Sequence, residues 1–570
     1  MGLVNSALQI GKSALLAYQG GLQVIGNNIA NVGTDGYSRQ SPSLVPQTGA
    51  YVNDGYHPGG GVTLAEVRRN VDEALNVRLR TAMGDEKGAL AEQTALASLE
   101  SLFNALSDVD LSSQLNDFFN AWADLQNTPE EASTRNLVLS QGAALTESLT
   151  RMSGSLENQY EALNEQLQQT VTRVNEIASD VAQLNLQIAT SEASGQGTVT
   201  TLRDQRDRLL AELSELVAIQ TREQPDGGCN VYIGNELLVQ RELVRELTTS
   251  MEVVDGRQTA VLRWADNGGQ ATVWGGELEG LVRARDTHIV EQIDNLDRLA
   301  QVLISDVNRI HATGQGLEGY ERLTGSYSLS DPALALNAAD NGMIYMPENG
   351  GFLVTVINAT TGLQETTRIE VDLDGVGADT TLNSLAADIT AQVANLTASV
   401  TTDNRLQLEA GSGYAFTFSD DSSGALGALG VNAFFSGQGA KTIALDDNIV
   451  DQPQRLAAAV TGLPGDGTNA GQIAGLASSA SRSLNNGQSV MDYYNGVMAE
   501  LASTSAAAEN AVEAADVISR SLEAQWEATS GVSLDEETLQ LMRYQRAFQG
   551  AARVVTVVDE LIQQLLAMAR

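Results

Sequence analysis

The C-terminal segment carries an apolar residue at every third or fourth position in strict alternation. The positions are Leu541, Tyr544, Phe548, Ala551, Val555, Val558, Ile562 and Leu565. This spacing is that of a heptad seam, which lies along one face of an α-helix. The pattern predicts a helix from about Leu534 to Met568, roughly 50 Å long at 1.5 Å per residue.

A second seam begins the chain. Its apolar positions are Leu8, Leu15, Tyr18, Leu22, Ile25 and Ile29. Either seam alone is typical of an ordinary core-facing helix, but chain ends are usually polar unless something holds them. Two patterned ends therefore indicate helices that pair with each other or with neighbouring subunits. Because an isolated helix is marginal in water, we expect both ends to be largely disordered in the free monomer and to fold when neighbours cover the seams.

The region between the two ends changes period. Helical spacing recurs over 163–188, 202–217 and 281–310, and a β region spans about 217–274. From 325 to 450 the pattern alternates, as in half-buried strands. The apolar members of these strands are Phe352, Val354, Val356, Ile369, Val371, Leu373, Leu406, Leu408, Phe416 and Phe418. A short helix is predicted from Leu382 to Leu396 within this stretch.

The predicted fold is α+β and multidomain, with a discontinuous helical coiled-coil stalk formed by both chain ends and with inserted β-rich outer domains. Residues 1–45 and 520–570 form the terminal coiled-coil domain. Residues 46–215, 276–320 and 451–519 form a helical rod-like domain. A small β region covers 216–275, and the inserted β-rich outer domain covers 325–450.

Composition narrows the functions that remain. The 570 residues include 33 basic and 72 acidic side chains, which give a net charge of −39. Such a charge repels nucleic acid and anionic lipid, so we predict neither as a partner. The chain has no apolar run near the roughly 18 residues of a membrane-spanning helix, so no membrane insertion is expected. Its first residues lack the basic and apolar regions of a cleaved signal peptide.

Candidate chemistry is sparse. The sequence contains neither a Gly-x-Ser-x-Gly elbow nor a phosphate-binding loop, and its single cysteine, Cys229, excludes a cysteine-based metal cluster. Asp372-Leu373-Asp374-Gly375 resembles a calcium loop but lacks the glutamate at its twelfth position. We predict no catalytic residue, no cofactor and no metal, and so not an enzyme.

Five segments together resemble one family. Asn-Asn-Ile-Ala-Asn at 27–31 and Gly-Tyr-Ser-Arg-Gln at 36–40 are similar to the N-terminal signature of bacterial flagellar axial proteins, which include rod, hook and hook-associated members. The family usually has Asn-Thr where this chain has Val-Gly-Thr at 32–34. Segments 202–209, 465–470 and 530–549 resemble the hook-associated members in particular.

The resemblance implies a structural protein of the bacterial flagellum that joins hook to filament. Its terminal helices would assemble copies of the chain into a ring after type III export without signal cleavage. The implied partners are the hook protein, a second hook-associated junction protein and an export chaperone on the C-terminal helix. The implied location is extracellular, at the hook-filament junction.

The predicted assembly interface combines the two seams with polar residues of the signature. It consists of Leu8, Leu15, Leu22, Ile25, Asn28, Ile29, Asn31, Tyr37, Arg39, Leu541, Tyr544, Phe548, Val555, Val558, Ile562 and Leu565. The polar residues have an alternative role, because asparagines also end helices and Gly36 suits a turn. Tyr37 is either a local packing residue or an interface anchor.

Three other functions remain open at this stage. The chain is another axial protein, such as a hook or distal rod protein; an enzyme displayed on a flagellar scaffold; or an adhesin that uses its outer β domains. The extended heptads and the 202–209 segment argue against the first, and the missing catalytic motifs argue against the second.

Overall fold

A computed structural model describes residues 2–48, 59–104, 110–194, 199–450, 452–463, 465–484 and 487–568. Its described helices are α1 (Gly2–Ala30), α2 (Glu73–Asn104), α3 (Leu111–Asn127), α4 (Ala132–Ala193), α5 (Thr200–Leu216), α6 (Gly276–Arg283), α7 (Val290–His311), α8 (Leu382–Gln392), α9 (Ala425–Ala428), α10 (Asp447–Val450), α11 (Thr468–Gly475), α12 (Val490–Ser530) and α13 (Leu534–Met568). A π-helical stretch, Ala284–Ile289, joins α6 to α7.

The described strands are β1 (Gln40–Gln47), β2 (Gly61–Arg69), β3 (Ile219–Glu223), β4 (Cys229–Ile233), β5 (Glu236–Gln240), β6 (Leu243–Val244), β7 (Leu247–Val254), β8 (Arg257–Trp264), β9 (Arg322–Thr324), β10 (Gly350–Asn358), β11 (Gln364–Val371), β12 (Leu396–Val400), β13 (Leu406–Ala410), β14 (Tyr414–Ser419), β15 (Phe435–Ser436) and β16 (Ala444–Leu445). All the described strand pairs are antiparallel. The protein is thus α+β, with helices at both ends and a β-rich middle.

The first compact unit comprises residues 1–95, 162–285 and 507–570. It holds α1, α13, the β1–β2 hairpin, a four-stranded sheet in the order β3-β4-β5-β6, and the β7–β8 hairpin. The β1–β2 hairpin packs on α1, where Gly20 leaves room for Leu64: a Cβ there would lie 2.8 Å from the leucine Cδ2. Leu75, Ala82 and Leu522 form a small buried cluster within the same unit.

The second compact unit comprises residues 96–161 and 286–506. Its β module has two three-stranded sheets, ordered β11-β10-β14 and β12-β13-β9, with α8 packed against β12. Register places Val354 opposite Phe418 and Val356 opposite Phe416, so alternate side chains of adjacent strands meet in one core. Phe352, Phe416 and Leu408 are fully buried there.

Most predicted elements are confirmed. The C-terminal helix has the predicted bounds, and the four alternating strands are present as β10, β11, β13 and β14, with Leu373 just beyond β11. The seam of 163–188 lies within the longer α4. The prediction for Leu396 is wrong: α8 ends at Gln392, and Leu396 begins β12. Asn395 explains the change, because it turns the backbone with φ of 61°.

The structure also contains elements that the sequence prediction lacked. The β1–β2 hairpin directly follows the signature, in a stretch predicted to be helical. The four-part domain division stays a prediction. Among the described residues, no helix combines the length and the hydrophobicity needed to cross a bilayer.

Candidate assembly site at the paired chain ends

The two terminal helices lie side by side and run in opposite directions. Three contacts show the direction: Gly11 meets Val555, Gly21 meets Tyr544, and Asn28 meets Glu537. Residue numbers therefore rise along α1 as they fall along α13, so the helices are antiparallel. A Cβ built at Gly11 would lie only 2.7 Å from Val555 Cγ2. The glycines therefore permit a close helix-helix approach that any larger residue would push apart.

This pairing covers only part of each seam. Ile25 and Val558 are buried, at 2% and 6% exposure, and Tyr18 meets Tyr544 edge-on with ring centres 6.2 Å apart. Most other predicted seam positions are half-buried; they are Leu8, Leu15, Leu22, Ile29, Leu541, Tyr544, Phe548, Val555 and Ile562. Leu565 is 50% exposed. The pair thus retains apolar surface after each helix has covered the other.

A tight turn follows α1 and brings the signature back against it. Gly36 has φ of 73°, a left-handed conformation that glycine adopts without strain. The turn places Tyr37 so that its hydroxyl donates to Asn28 Oδ1 at 2.8 Å. Asn27 Nδ2 donates to the same hydroxyl at 3.1 Å. The local role of Gly36 predicted from the sequence is confirmed.

Asn28, Tyr37, Arg39 and Glu537 form a buried polar group that we call the clasp. Asn28 is fully buried and uses its whole amide: Nδ2 donates to Glu537 Oε2 and to the Gln40 carbonyl, each at 2.8 Å. Its Oδ1 also accepts from the Gln40 backbone N–H at 3.0 Å. Because Asn28 lies in the last turn of α1 and Glu537 in the first turn of α13, the clasp fixes the register between the two ends of the chain.

Arg39 completes the clasp by neutralising the buried carboxylate. Its Nε donates to Glu537 Oε1 at 2.8 Å, and one terminal nitrogen donates to Glu536 Oε2 at 2.6 Å. Its backbone N–H donates to the Ser530 carbonyl at 2.8 Å, just before α13 begins. Glu537 is 2% exposed, so removing either of its donors would leave a buried charge with too few partners.

A second cluster holds the other side of the same turn. Arg69, on β2, donates to Asp204 at 3.0 Å and to Asp207 at 2.6 Å, both on α5. Burial raises the pKa of Asp204 to about 6, against the opposing effects of Arg69 and of a hydrogen bond with Ser38. Burial, then the charge of Asp204, raises the pKa of Tyr37 to about 12. Both shifts follow from packing charged and polar groups beneath the signature.

The structure therefore separates the predicted polar residues. Asn28, Tyr37 and Arg39 come together inside one chain, whereas Asn31 is half-buried and its side chain donates only locally, to Asn27 at 2.8 Å. This arrangement accounts for Asn31 as a helix-ending residue, the alternative left open by the sequence. Their role between subunits stays a prediction.

Sequence reasoning missed Glu537, Asp204 and Arg69. Two of them lie in segments that resemble the hook-associated members, 202–209 and 530–549. The signal available from the sequence was that both segments belong to one resemblance. The structure brings these separate segments together around a single turn. Nothing in their spacing along the chain, however, indicates which carboxylate meets Arg39.

An open cleft of about 360 Å³ lies beneath the same turn. Gly36 and Ser38 form one wall, and Arg80, Arg208 and Trp526 contribute to the others. Glu86, Asp207, Glu215 and Glu523 also line it, so its charge is mixed. We assign it no chemistry.

Two other sequence candidates are explained by local structure. Asp372, Asp374 and Asp379 bring carboxylate oxygens within 4.8 Å of one another on an exposed loop. Backbone N–H groups donate to them, from Val376 to Asp374 at 2.7 Å and from Gly375 to Asp379 at 3.0 Å, as in ordinary Asp-Gly turns. Cys229 is buried, and burial raises the pKa of its thiol to about 11, which leaves it protonated and unreactive.

Three family models match the chain in order. The flagella basal body rod protein model matches residues 8–37, the helical-domain model of flagellar hook-associated protein FlgK matches 96–325, and the C-terminal model of the flagellar basal body rod FlgEFG protein matches 525–568. The two terminal helices and the turn that follows α1 thus match models of flagellar axial proteins. The chain is therefore similar to flagellar axial proteins at both of its ends and in its helical domain.

Relatives along the full length narrow the class. Flagellar hook-associated protein 1 of Escherichia coli (strain K12) is 24% identical over 99% of both chains. That of Bacillus subtilis (strain 168) is 27% identical over 98% of this chain and 97% of its own. The chain is thus similar to flagellar hook-associated protein 1 along nearly its whole length, and the resemblance predicted from the sequence is confirmed. A solved structure, the flagellar hook junction protein FlgK from Burkholderia pseudomallei, covers 83% of this chain and 99% of its own at 16% identity, with a TM-score of 0.44.

Proposed function

We propose that the chain is a structural subunit of the bacterial flagellum that joins hook to filament. The observation that carries this proposal is the antiparallel pairing of α1 with α13 under the clasp. A joining subunit has to present a defined surface to its neighbours, and the clasp gives the two chain ends one fixed register. The apolar positions that stay half-exposed after pairing are the surface available for neighbours.

The partners follow from the same proposal. Copies of the chain form a ring, with the hook protein on one side and a second hook-associated junction protein on the other. An export chaperone covers α13 before assembly, and type III export without signal cleavage delivers the chain to the flagellum outside the cell. The role is structural rather than catalytic, and the β module of residues 325–450 faces outward.

The test removes the gene and restores it in variant form. Cells that lack the protein are expected to build hooks and to shed filament subunits into the medium, which electron microscopy and an immunoblot of the medium would measure. Attached filaments of normal number in that strain would contradict the proposal.

A substitution within the pair sharpens the test. Val555→Asp places a charge against Gly11 of α1, so we expect restored export but almost no attached filaments. Thr556→Asp is the matched control, because Thr556 is exposed on the same helix and its side chain bonds only to the Ala552 carbonyl. Normal filament attachment with Val555→Asp would show that the pair is dispensable for joining.

A further inference from the structure

The outer face of α13, turned away from α1, has an unusual composition. Every third or fourth position along it is either apolar or arginine; these positions are Leu539, Arg543, Arg546, Gly550, Arg553, Val557 and Leu561. At about 100° per residue they centre roughly 110° around the helix from Ala551, which is buried against α1, and all seven positions are exposed. The face is therefore separate from the seam predicted from the sequence.

The three arginines on this face lack partners. Within the part of the chain that the structure describes, Arg543, Arg546 and Arg553 form no ion pair, although acidic residues outnumber basic ones by 72 to 33. All three are exposed, alongside Leu539, Val557 and Leu561, whose exposures run from 47% to 64%. Like charges spaced along one helix repel each other, so an anionic partner would stabilise this face.

Gly550 in the middle of the face supports a helical partner. Glycine in a helix interior costs about 1 kcal/mol relative to alanine. No atom lies within 4 Å of a Cβ built at Gly550, so nothing in the chain itself explains the absence of a side chain. A second helix crossing at this point would make use of the space.

The complementary surface is on α12 of the same sequence. Acidic residues recur there with the same spacing, and an arginine interrupts them once; the row is Glu509, Glu513, Asp516, Arg520, Glu523 and Glu527. Among the described residues, the one ion pair in this row joins Arg520 to Asp516 at 2.8 Å. The row spans about 27 Å and the face on α13 about 33 Å at 1.5 Å per residue, so the two match in length and period.

We infer that the outer face of α13 binds the acidic row of α12 from a second copy of this chain. This inference rests on the proposed joining function and names the surface by which adjacent copies recognise each other. Charge complementarity sets the partner and the register, while Leu539, Val557 and Leu561 supply the apolar contact. The identity of the occupant follows from charge, because opposed rows of matching period occur on two helices of one chain.

Charge reversal tests the pairing in flagellated cells whose only copy is the full-length variant. Arg543→Glu/Arg546→Glu/Arg553→Glu is expected to reduce attached filaments about tenfold or more, because it sets like charges against each other. Adding Glu513→Arg/Glu523→Arg/Glu527→Arg to the same chain is expected to restore attachment. Glu500→Arg is the matched control, since Glu500 is exposed on α12 but lies off the acidic row.

Each outcome is decisive. Restoration by the second set of reversals, with Glu500→Arg giving none, supports the inference. Unchanged filament attachment after the arginine reversals overturns the inference. A loss of attachment that the glutamate reversals fail to restore also overturns it, and is expected if the arginines line a channel or bind another flagellar protein. Absence of the variant from the medium also overturns it, since the defect then precedes assembly. The proposed joining function is tested separately, by whether cells that lack the gene shed filament subunits into the medium.

Discussion

The β module and the terminal helix pair differ in how completely each covers its own apolar residues. In the module, Phe352, Phe416 and Phe418 have almost no exposed surface, and the two sheets enclose one continuous core. In the pair, Ile25 and Val558 are buried, but most seam positions keep part of their surface in water. The module is self-sufficient by this measure, whereas the pair has apolar area left over for partners.

The largest expected effect on stability tests whether the β module covers its own apolar core. Phe352→Ala should destabilise it by about 3–5 kcal/mol, because the cavity left among the two sheets cannot collapse. Leu565→Ala is the control: at 50% exposure the same kind of truncation should cost less than about 1 kcal/mol. Urea unfolding of the full chain measures both, and similar costs for the two would remove the contrast between the regions.

The next effect tests what holds the pair. Asn28→Ala removes the hydrogen bonds to Glu537 and to Gln40, which should cost about 1.5–3 kcal/mol because one acceptor is charged. Amide exchange across α13 in the free protein is the measurement, with Asn31→Ala as the control, because the Asn31 side chain donates to Asn27 and not to α13. Unchanged protection in Asn28→Ala would show that apolar contact alone sets the register. The same experiment on the unaltered chain tests whether both termini are largely disordered in the free protein and fold on assembly, which stays a prediction.

The smallest expected effect is a loss of stability of the second compact unit at low pH. His311 is fully buried; its Nδ1 donates to the Asn432 carbonyl and its Nε2 accepts from the Ala457 N–H, so the ring is neutral. Burial lowers its pKa to about 4, below the 6.5 of an unburied histidine. The unfolded state therefore binds the proton first, and stability present above pH 6.5 is lost as the pH falls towards 4.

His311→Gln removes this titration. We expect the difference in unfolding free energy between the parent and the variant to shrink by about 2 kcal/mol between pH 7 and pH 5. Tryptophan fluorescence reports it locally, since the Trp122 ring centre lies 6.1 Å from that of His311. A difference that is constant with pH would show that the ring does not titrate as its burial requires.

Periodicity predicted the elements better than it predicted their contacts. The bounds of α13 and the strands through Phe352 and Phe416 followed from apolar spacing, because that spacing reflects which face is buried. The clasp did not follow, since Asn28 and Glu537 are 509 residues apart and no local pattern links them. The β1–β2 hairpin was missed because its strands carry Pro42 and Pro46 and little alternation.

The pairing of α1 with α13 joins the two ends of the chain, which determines when the pair can form during folding. The contact between Asn28 and Glu537 closes a loop of 509 residues, so the first helix packs on the β1–β2 hairpin alone until nearly the whole polypeptide is present. A prematurely terminated product lacks the helix that completes the pair. Only a chain that extends past Glu537 can therefore close the clasp.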